Sequence, residues 1–323
     1  MHILIVEDDA RVAVRLAGGR QVIQAVDQNR TDRAVALVAA PSHPPEVFAI
    51  DGARLRPLSR QNDQWLSDIT LAPVEDTSFA SRDGTEVHGF VLRPANPGPA
   101  PAILRIHGGP QSQYDYGFSF EWQLLAANGY AVIAANPRGG TGRGQDYGKA
   151  IYAAWGSVDV ADVLGAVDDA VARRIADPNR LGIGGWSYGS ILTNYVIASD
   201  KRFKAATSGA GISNILAGYG TDQYIRDYEV ELGKPWEKSE TWIKLSYPFL
   251  HADRIVTPTL FLAGEKDFNV PLLNSEQMFQ ALRSQGVDTQ LVIYPDQYHR
   301  LTRPSFLRDR LQRYLDWYAK YLK

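Results

Sequence analysis

Beyond about residue 100 the chain alternates short apolar runs with segments of helical periodicity. The runs include "AILRIHG", "YAVIAANP", "RLGIGGW" and "TPTLFLAGE", and between them apolar residues recur at helical spacing, as in Val160, Leu164, Val167 and Val171. Continuous apolar strands need cover on both faces of their sheet, and amphipathic helices provide it. The pattern therefore predicts an α/β fold with a mostly parallel open sheet, helices on both faces and a closing helix over "LRDRLQRYLDWYAKYLK".

The first 72 residues follow a different pattern. Short apolar segments, several with a period of two, are separated by turns such as Gly18-Gly19 and Asp51-Gly52. This alternation is typical of half-buried strands joined by turns. We expect residues 1–72 to form a small antiparallel β region of about six strands, residues 73–323 to form the α/β domain, and the Pro/Gly-rich "RPANPGPAP" to lie in a surface turn.

Charge and composition exclude several classes of protein. The chain has 34 Lys and Arg against 36 Asp and Glu, so nothing in its net charge of −2 favours nucleic acid or an anionic membrane as a partner. The absence of cysteine excludes disulfides, thiolate metal sites and a cysteine nucleophile. No apolar run reaches the roughly 18 residues of a membrane span, and the amino terminus does not resemble a secretion signal. We expect a soluble, cytoplasmic protein that uses no metal or organic cofactor.

A glycine-flanked serine follows one of the apolar runs. In "LGIGGWSYGS" the strand-like "RLGIGG" leads to Ser187, which has Gly185 and Gly189 two residues away on either side. A serine nucleophile on a sharp turn between a strand and a helix needs small neighbours of this kind. A structural glycine turn looks similar, so the motif needs a base and an acid elsewhere in the chain.

The remaining members of a catalytic triad can be sought in the order Ser, Asp or Glu, His. After Ser187 only His251 and His299 remain, and His299 follows the apolar strand "TQLVIYP" in a loop. Asp267 ends the strand "TPTLFLAGEKD", at the sheet edge where open α/β sheets place their sites. We predict the triad Ser187, Asp267 and His299. The weaker candidates are His251, Asp253, Asp288 and Asp296.

An acyl-transfer site also needs two donors for its oxyanion. The backbone amide of Tyr188 follows the nucleophile directly. The loop "HGGP", after the strand "AILRI", offers the amide of Gly109 as the second donor. We interpret His107, in the same loop, as a structural histidine.

Five motifs resemble the catalytic domain of the prolyl oligopeptidase family, especially its acylaminoacyl-peptidase and dipeptidyl-peptidase branches. They are "HGGP", "NPRGGTGRG", "GWSYGS", "GEKDFNVP" and "YPDQYH", spread over residues 75–323. The resemblance implies an α/β-hydrolase fold with the triad predicted above. It also implies that Asn269 binds the substrate carbonyl beside the scissile bond and that Tyr188 lines the pocket for the adjoining side chain.

The chain departs from this family in two ways. Members usually carry a β-propeller before the hydrolase domain, and residues 1–72 are too few to build one, so we interpret them as a partial propeller. Strand edges exposed by missing blades tend to pair with other chains, which predicts a homo-oligomer through these residues. Ser190 also stands where the family usually has glycine.

The opening "ILIVEDD" suggests an alternative, because paired acids after a strand also begin receiver domains. Glu7, Asp8 and Asp9 would bind magnesium there, and Asp51 would accept the phosphoryl group. Such a domain needs helices between its strands and a lysine soon after the acceptor, but the first lysine of this chain is Lys149. We therefore interpret the three acids as a turn at the end of a strand.

The predicted function is hydrolysis of peptide bonds through an acyl-enzyme. A carboxylesterase on small acyl esters is the alternative from the same residues, and a non-enzymatic interaction protein would follow if the triad did not assemble. Tyr219, Tyr224 and Trp236 lie where a hydrolase builds its acyl pocket, and Arg138 is interpreted as an ion-pair partner.

Overall fold

The computed structural model of the protein describes residues 3–5, 14–17, 19–29, 33–52 and 54–323. Within these ranges the N-terminal region consists of two antiparallel sheets. Its strands are β1 (Ile3–Ile5), β2 (Val14–Ala17), β3 (Val22–Gln28), β4 (Ala34–Ala40), β5 (His43–Asp51) and β6 (Arg54–Pro57). β1 pairs with β2, and β3 to β6 form a four-stranded meander in chain order. The predicted antiparallel region is confirmed.

The meander has a small core of its own, and Arg20, just before β3, contacts the second region. Ile23, Ala36 and Val38 are buried together between its strands. The guanidinium of Arg20 donates to the backbone oxygen of Val74 over 2.7 Å. A short helix, α1 (Asp63–Leu66), leads from the meander to the second region.

The described residues of the second region form an eight-stranded sheet. Its strands are β7 (Val74–Ala80), β8 (Glu86–Leu92), β9 (Ala100–Ile106), β10 (Ala131–Asn136), β11 (Ala176–Trp186), β12 (Phe203–Gly209), β13 (Thr259–Gly264) and β14 (Thr289–Tyr294). The spatial order is β14-β13-β12-β11-β9-β10-β8-β7. β9 to β14 are mutually parallel, and β7 and β8 add an antiparallel edge.

Helices cover both faces of this sheet, as the alternating pattern predicts. They are α2 (Phe120–Ala127), α3 (Gln145–Lys149), α4 (Val158–Ala172), α5 (Tyr188–Ser199), α6 (Ile215–Gly218), α7 (Ile225–Leu232), α8 (Ser239–Leu245), α9 (Tyr247–Leu250), α10 (Leu273–Ser284) and α11 (Pro304–Leu322). One core holds apolar residues of α4, α5 and α10, and the other holds those of α2 and α11.

Helix periodicity explains how the outer helices bury one face. In α11 the buried residues Tyr314, Trp317, Tyr318 and Leu322 recur at spacings of three and four, so they form one stripe along the helix. In α5 nearly every residue is buried, because this helix lies between the sheet and the neighbouring helices α4 and α9. α5 is therefore a rigid support for the residue that precedes it.

The structure differs from the sequence prediction at two places. The segment from Val74 to Leu92, to which the sequence analysis assigned no strand, contributes the two antiparallel strands β7 and β8 to the main sheet. α11 begins at Pro304, earlier than the predicted "LRDR", because proline is favourable in the first turn of a helix. The predicted domain boundary after residue 72 falls just before β7.

Candidate active site

Ser187 lies in the sharp turn between β11 and α5. Its φ of 60° and ψ of −127° are rare for a residue with a side chain, and such strain is typical of functional turns. A Cβ added to Gly189 would lie 2.1 Å from the oxygen of Ile106, and one added to Gly185 would lie 2.4 Å from the carbonyl carbon of Gly189. Only glycine fits at either position, so the two glycines make this turn possible.

An imidazole and a carboxylate meet beside this turn. His299, after β14, has its Nδ1 2.7 Å from Oδ2 of Asp267, after β13. The side chain of Asp267 is fully buried, and its Oδ1 accepts from the amides of Asn269 and Val270, each over 2.9 Å. Because a carboxylate can only accept, it holds the imidazole proton on Nδ1 and leaves Nε2 free to act as a base.

The loop of His299 is tied to the turn that carries Ser187. Trp186 Nε1 donates to the backbone oxygen of His299 over 2.9 Å. In the part of the chain that the structure describes, Ser187 Oγ makes no hydrogen bond. In free hydrolases the contact between nucleophile and base is often long and shortens when substrate binds. The structure thus brings the three predicted triad loops to one edge of the sheet.

The two predicted oxyanion donors border the same space. Tyr188 is the first residue of α5, so its amide has no acceptor within the helix and lies at the positive end of the helix dipole. Gly109 has a φ of +129° and lines the cavity in front of Ser187. A Cβ on the preceding Gly108 would lie 3.5 Å from Ser187 Cβ, so this loop lies against the nucleophile.

His107 supports this loop, as the sequence analysis predicts. Its Nδ1 donates to the backbone oxygen of Gly108 over 2.7 Å, which fixes the direction of that peptide group. Burial lowers the pKa of His107, so the ring is neutral at neutral pH. His107 is therefore a structural histidine.

A cavity of about 550 Å³ opens in front of Ser187. Its walls are mainly aromatic and aliphatic, and a few acids and Arg226 lie at its margin. The predicted residues Gly109, Tyr188 and Tyr224 line it. Sequence reasoning missed several others because they come from separate loops and helices: Tyr152, Trp155, Ile191, Ile212, Tyr228 and Val270.

Polar contacts hold the aromatic walls in place. The Tyr188 hydroxyl donates to Asp159, and burial raises the pKa of Asp159. Glu231 Oε1 accepts from Trp155 Nε1 over 2.8 Å. Asn269, whose role is implied by the family resemblance, donates from Nδ2 to the hydroxyl of Tyr224 over 3.2 Å. The cavity is therefore preorganised by bonds between its own side chains.

Two other aromatic residues predicted for the acyl pocket lie elsewhere. Tyr219 is not among the residues that line this cavity, because its hydroxyl donates to Glu229 and its ring packs against Trp242, 5.3 Å between centroids. Trp236 is 69% exposed and packs on Tyr219. Of Tyr219, Tyr224 and Trp236, the three aromatic residues that the sequence analysis placed at the acyl pocket, Tyr224 alone lines this cavity.

The weaker candidates for the acid and the base of the triad contact other residues. His251 stacks on Tyr247 with 4.0 Å between ring centroids. Asp288 pairs with Lys320. Asp296 pairs with Lys266 over 2.6 Å. Their contacts are those of surface or packing residues.

Arg138 is the ion-pair partner that the sequence predicts. Its guanidinium binds both oxygens of the buried Asp162 and contacts Asp83 over 2.6 Å. Ser190, where glycine is usual, is buried with its Oγ 2.6 Å from that of Ser208. Asp51 pairs with Arg56, and Glu7, Asp8 and Asp9 lie outside the described residues.

The described ranges lack both a cluster of metal ligands and a membrane-spanning helix. They hold no group of three or more histidine, aspartate and glutamate side chains arranged to bind a metal ion. They also hold no helix that is both long enough and apolar enough to cross a membrane.

The sheet topology is that of an α/β-hydrolase, and a strained serine near a histidine that is hydrogen-bonded to a buried aspartate is the arrangement found in serine hydrolases. A sequence model of the prolyl oligopeptidase family matches residues 116–323, which is more than half of the chain. The chain belongs to this family.

Several proteins that are similar to this chain are named as peptidases or as acylamino-acid-releasing enzymes. The chain is 36% identical to an uncharacterized peptidase, YuxL, of Bacillus subtilis, with 89% of the chain and 45% of that protein aligned. It is 33% identical to the acylamino-acid-releasing enzyme of Arabidopsis thaliana over 69% of the chain and 30% of that protein. An acylaminoacyl peptidase solved in complex with Z-Gly-Gly-Phe-chloromethyl ketone superposes with a TM-score of 0.93 at 27% identity, over 100% of this chain and 52% of that one. The chain thus spans about half the length of these relatives or less.

Proposed function

We propose that this protein is a serine peptidase that cleaves peptide bonds through an acyl-enzyme intermediate. The observation that carries the proposal is the 2.7 Å hydrogen bond between His299 and the buried Asp267, at the sheet edge where the strained Ser187 faces an aromatic cavity. Similarity to peptidases in both sequence and structure supports it. No cofactor takes part in the proposed reaction.

The proposed reaction consists of two acyl transfers, first to Ser187 and then to water. His299 Nε2 takes the proton of Ser187 Oγ as the oxygen attacks the substrate carbonyl, and the amides of Gly109 and Tyr188 stabilise the oxyanion. His299 then gives the proton to the leaving amine, and water attacks the acyl-enzyme by the same route. Asp267 keeps the imidazole in the required tautomer and stabilises its positive charge. Removing one oxyanion donor typically costs about 3 kcal/mol in the barrier.

The cavity in front of Ser187 suits an acyl group with a large apolar side chain. Trp155, Tyr188 and Tyr228 supply aromatic surface, and aromatic contacts add to the burial of apolar area. Asn269 would donate to the carbonyl beside the scissile bond, as the family resemblance implies. The peptide inhibitor of the related acylaminoacyl peptidase, which ends in Phe, supports this assignment.

Labelling with a fluorophosphonate probe tests the hydrolase chemistry. We expect the wild type to be labelled and Ser187→Ala not to be, because the probe reacts with the activated serine. Equal labelling of both proteins, or none of the wild type, would leave a non-enzymatic protein as the better description.

Matched substrates then separate peptidase from esterase. N-acetyl-phenylalanine should be released from its p-nitroanilide, its Gly-Gly peptide and its ethyl ester, all three reactions depending on Ser187. Cleavage of the ester with no measurable cleavage of either amide would make the protein a carboxylesterase instead.

We also propose that the chain self-associates through residues 1–72. β3 and β6 are the outer strands of the described meander, and Val26 on β3 is 50% exposed. Outer strands present unpaired backbone groups to other chains. Light scattering should give a mass above 35.8 kDa, and a monomer at micromolar concentration would contradict the proposal. A cytoplasmic location stays a prediction.

A further inference from the structure

A second cavity adjoins His299 on the other side of the catalytic turn. It has a volume of about 760 Å³ and is separate from the cavity that holds Tyr188 and Tyr224. Gly108, Trp186 and His299 form its wall toward the catalytic residues. Arg105, Arg300 and Arg310 line its remainder together with Glu121. We call this space the arginine cavity.

The chemistry of acyl transfer indicates which part of a substrate would enter each cavity. The acyl group stays on Ser187 and must lie in the aromatic cavity that Ser187 lines. The leaving amine takes its proton from His299 and therefore departs on the side of the imidazole. The arginine cavity lies there, so its position suits the leaving group.

The arginine cavity has more positive than negative charge. Arg105 Nε lies 2.7 Å from Glu121 Oε1, and Arg310 Nη2 lies 4.0 Å from Glu121 Oε2. Arg300 is exposed and forms no ion pair with the residues that the structure describes. Within those residues Glu121 is the one carboxylate on the cavity wall, whereas the wall carries three guanidinium groups. The neutral His107 adds no charge, so the cavity favours an anion.

Arg310 is held in place without using all of its donors. Its guanidinium carbon lies 5.3 Å from the ring centroid of Trp186 and 5.9 Å from that of Tyr314. Among the described residues its Nε has no hydrogen-bond partner, and its one ion-pair partner, Glu121, lies 4.0 Å away. The side chain is 21% exposed at the cavity wall, and arginine binds carboxylates strongly. The aromatic rings thus hold a guanidinium at this wall whose donors are largely unused within the described residues.

We propose that the arginine cavity binds the terminal carboxylate of the leaving peptide, so that the enzyme prefers to cleave close to a free C-terminus. The proposal rests on the peptidase function given above. A cavity of this volume suits a small ligand, here a leaving group of about two or three residues. Arg310 and Arg300 would be specificity-determining residues, since they contact the part of the substrate that is not reacting.

The test compares two peptides that differ in one charge. N-acetyl-Phe-Gly-Gly with a free carboxylate should have a kcat/KM about 10-fold or more above that of its C-terminal amide, because a charge-assisted hydrogen bond is lost with the amide. The ratio should fall as salt is added, because salt screens exposed charges. Equal values for the two peptides in the wild type would overturn the proposal.

Three variants test which arginines are responsible for the preference for a free carboxylate. Arg310→Met keeps the length of the side chain without its charge, and Arg300→Gln changes an exposed residue that has no ion-pair partner among the described residues; each should bring the ratio toward one. Arg308→Gln changes an arginine of the same helix that does not line the arginine cavity, and it should keep the wild-type ratio. The ratio is taken within each variant, so a general loss of activity cancels. An unchanged ratio in both Arg300→Gln and Arg310→Met would contradict the assignment.

A binding readout keeps this inference separate from the peptidase function. Gly-Gly-Gly with a free carboxylate should slow fluorophosphonate labelling of Ser187 by occupying the arginine cavity, and its C-terminal amide should slow it much less. If no peptide is cleaved but this protection is seen and is lost in Arg310→Met, the peptidase proposal fails and the anion site stands. Equal protection by the two tripeptides, or protection by neither, would overturn the site.

Discussion

Trp186 Nε1 donates a hydrogen bond to the backbone oxygen of His299 over 2.9 Å. The residue that precedes the nucleophile therefore holds the loop that carries the base. A second constraint comes from Gly264 at the end of β13, where an added Cβ would lie 2.3 Å from the oxygen of Tyr298. The position of the imidazole is thus determined by close backbone contacts as well as by Asp267.

Replacing Trp186 by phenylalanine should loosen this loop while keeping an aromatic ring. Loss of one such hydrogen bond costs about 1 kcal/mol, so we expect kcat/KM for a p-nitroanilide to fall about 5-fold, mostly through kcat. Trp317→Phe is the matched control, because Trp317 also donates to a backbone oxygen, that of Pro258 over 3.4 Å, but far from the site. Equal losses in the two variants would show that the bond at Trp186 has no special role.

Replacing Asp267 by asparagine should give the imidazole the wrong tautomer. Oδ1 of Asp267 accepts from two backbone amides, so the oxygen of an asparagine would remain there and its NH₂ would face Nδ1 of His299. The proton of the ring would then move to Nε2, which could no longer accept the proton of Ser187. We expect kcat to fall about 10³- to 10⁴-fold.

Ester hydrolysis and the rate of fluorophosphonate labelling measure this loss. Asp296→Asn is the control, because Asp296 lies in the neighbouring loop but pairs with Lys266 on the surface. A loss of less than about 10-fold in Asp267→Asn would contradict the proposed role of Asp267.

Replacing Gly189 by alanine should destabilise the turn of the nucleophile. The new Cβ would lie 2.1 Å from the oxygen of Ile106, so the backbone of α5 or β9 would have to move. Such overpacking typically lowers the free energy of unfolding by about 1–3 kcal/mol, and labelling of Ser187 should be lost as well. Urea unfolding measures the first effect. Gly148→Ala is the control, because its new Cβ would lie 3.5 Å from the oxygen of Gly140, an ordinary contact distance. We expect its free energy of unfolding to be unchanged or slightly higher.

The proposed catalytic residues could be placed together from the sequence because each follows an apolar strand of a parallel sheet. The carboxyl ends of such strands meet at one edge, so Ser187, Asp267 and His299 had to lie near one another if β11, β13 and β14 were assigned correctly. Glycine spacing around Ser187 added a local signal, because only glycine fits where α5 approaches β9.

The walls of the aromatic cavity could not be predicted in the same way. Trp155, Ile212 and Val270 come from three different loops, and no periodicity in the sequence links them. Their meeting depends on how α6 to α9 fold over the edge of the sheet. The same reason explains why Tyr224 lines the cavity while Tyr219, only five residues earlier, packs against Trp242.

The sequence indicates the antiparallel edge strands of the main sheet, β7 and β8, only weakly. β7 has the sequence "VEDTSFA", in which only Phe79 is fully buried, so its hydrophobic alternation is slight. β8 is buried by neighbours on both sides, and its run "EVHGFVL" has no clear period. β8 pairs with β10, which is distant in sequence, and β7 pairs with β8. The position of both strands therefore depends on a long-range contact.

Asp159 lies behind Tyr188, one of the residues that line the aromatic cavity. Asp159 is fully buried, and it accepts from the Tyr188 hydroxyl and from the amides of Gly156 and Val160. Burial is the largest influence on its pKa and raises it above the ordinary value of 3.8. The hydrogen bonds act in the opposite direction but do not reverse this shift.

The raised pKa of Asp159 predicts how stability changes with pH. At pH values between 3.8 and the raised pKa, the carboxyl of Asp159 is protonated more often in the folded state than in the unfolded state. The contribution of Asp159 to the free energy of unfolding therefore falls as the pH rises through this range. Asp159→Asn has no such proton, and the difference in free energy of unfolding, wild type minus variant, should therefore fall as the pH of urea titrations rises above about 4. Asp177→Asn serves as the control: the amide of Asn179 lowers the pKa of Asp177, so the corresponding difference should change only below 3.8. A difference for Asp159→Asn that rises with pH would mean that its hydrogen bonds outweigh burial.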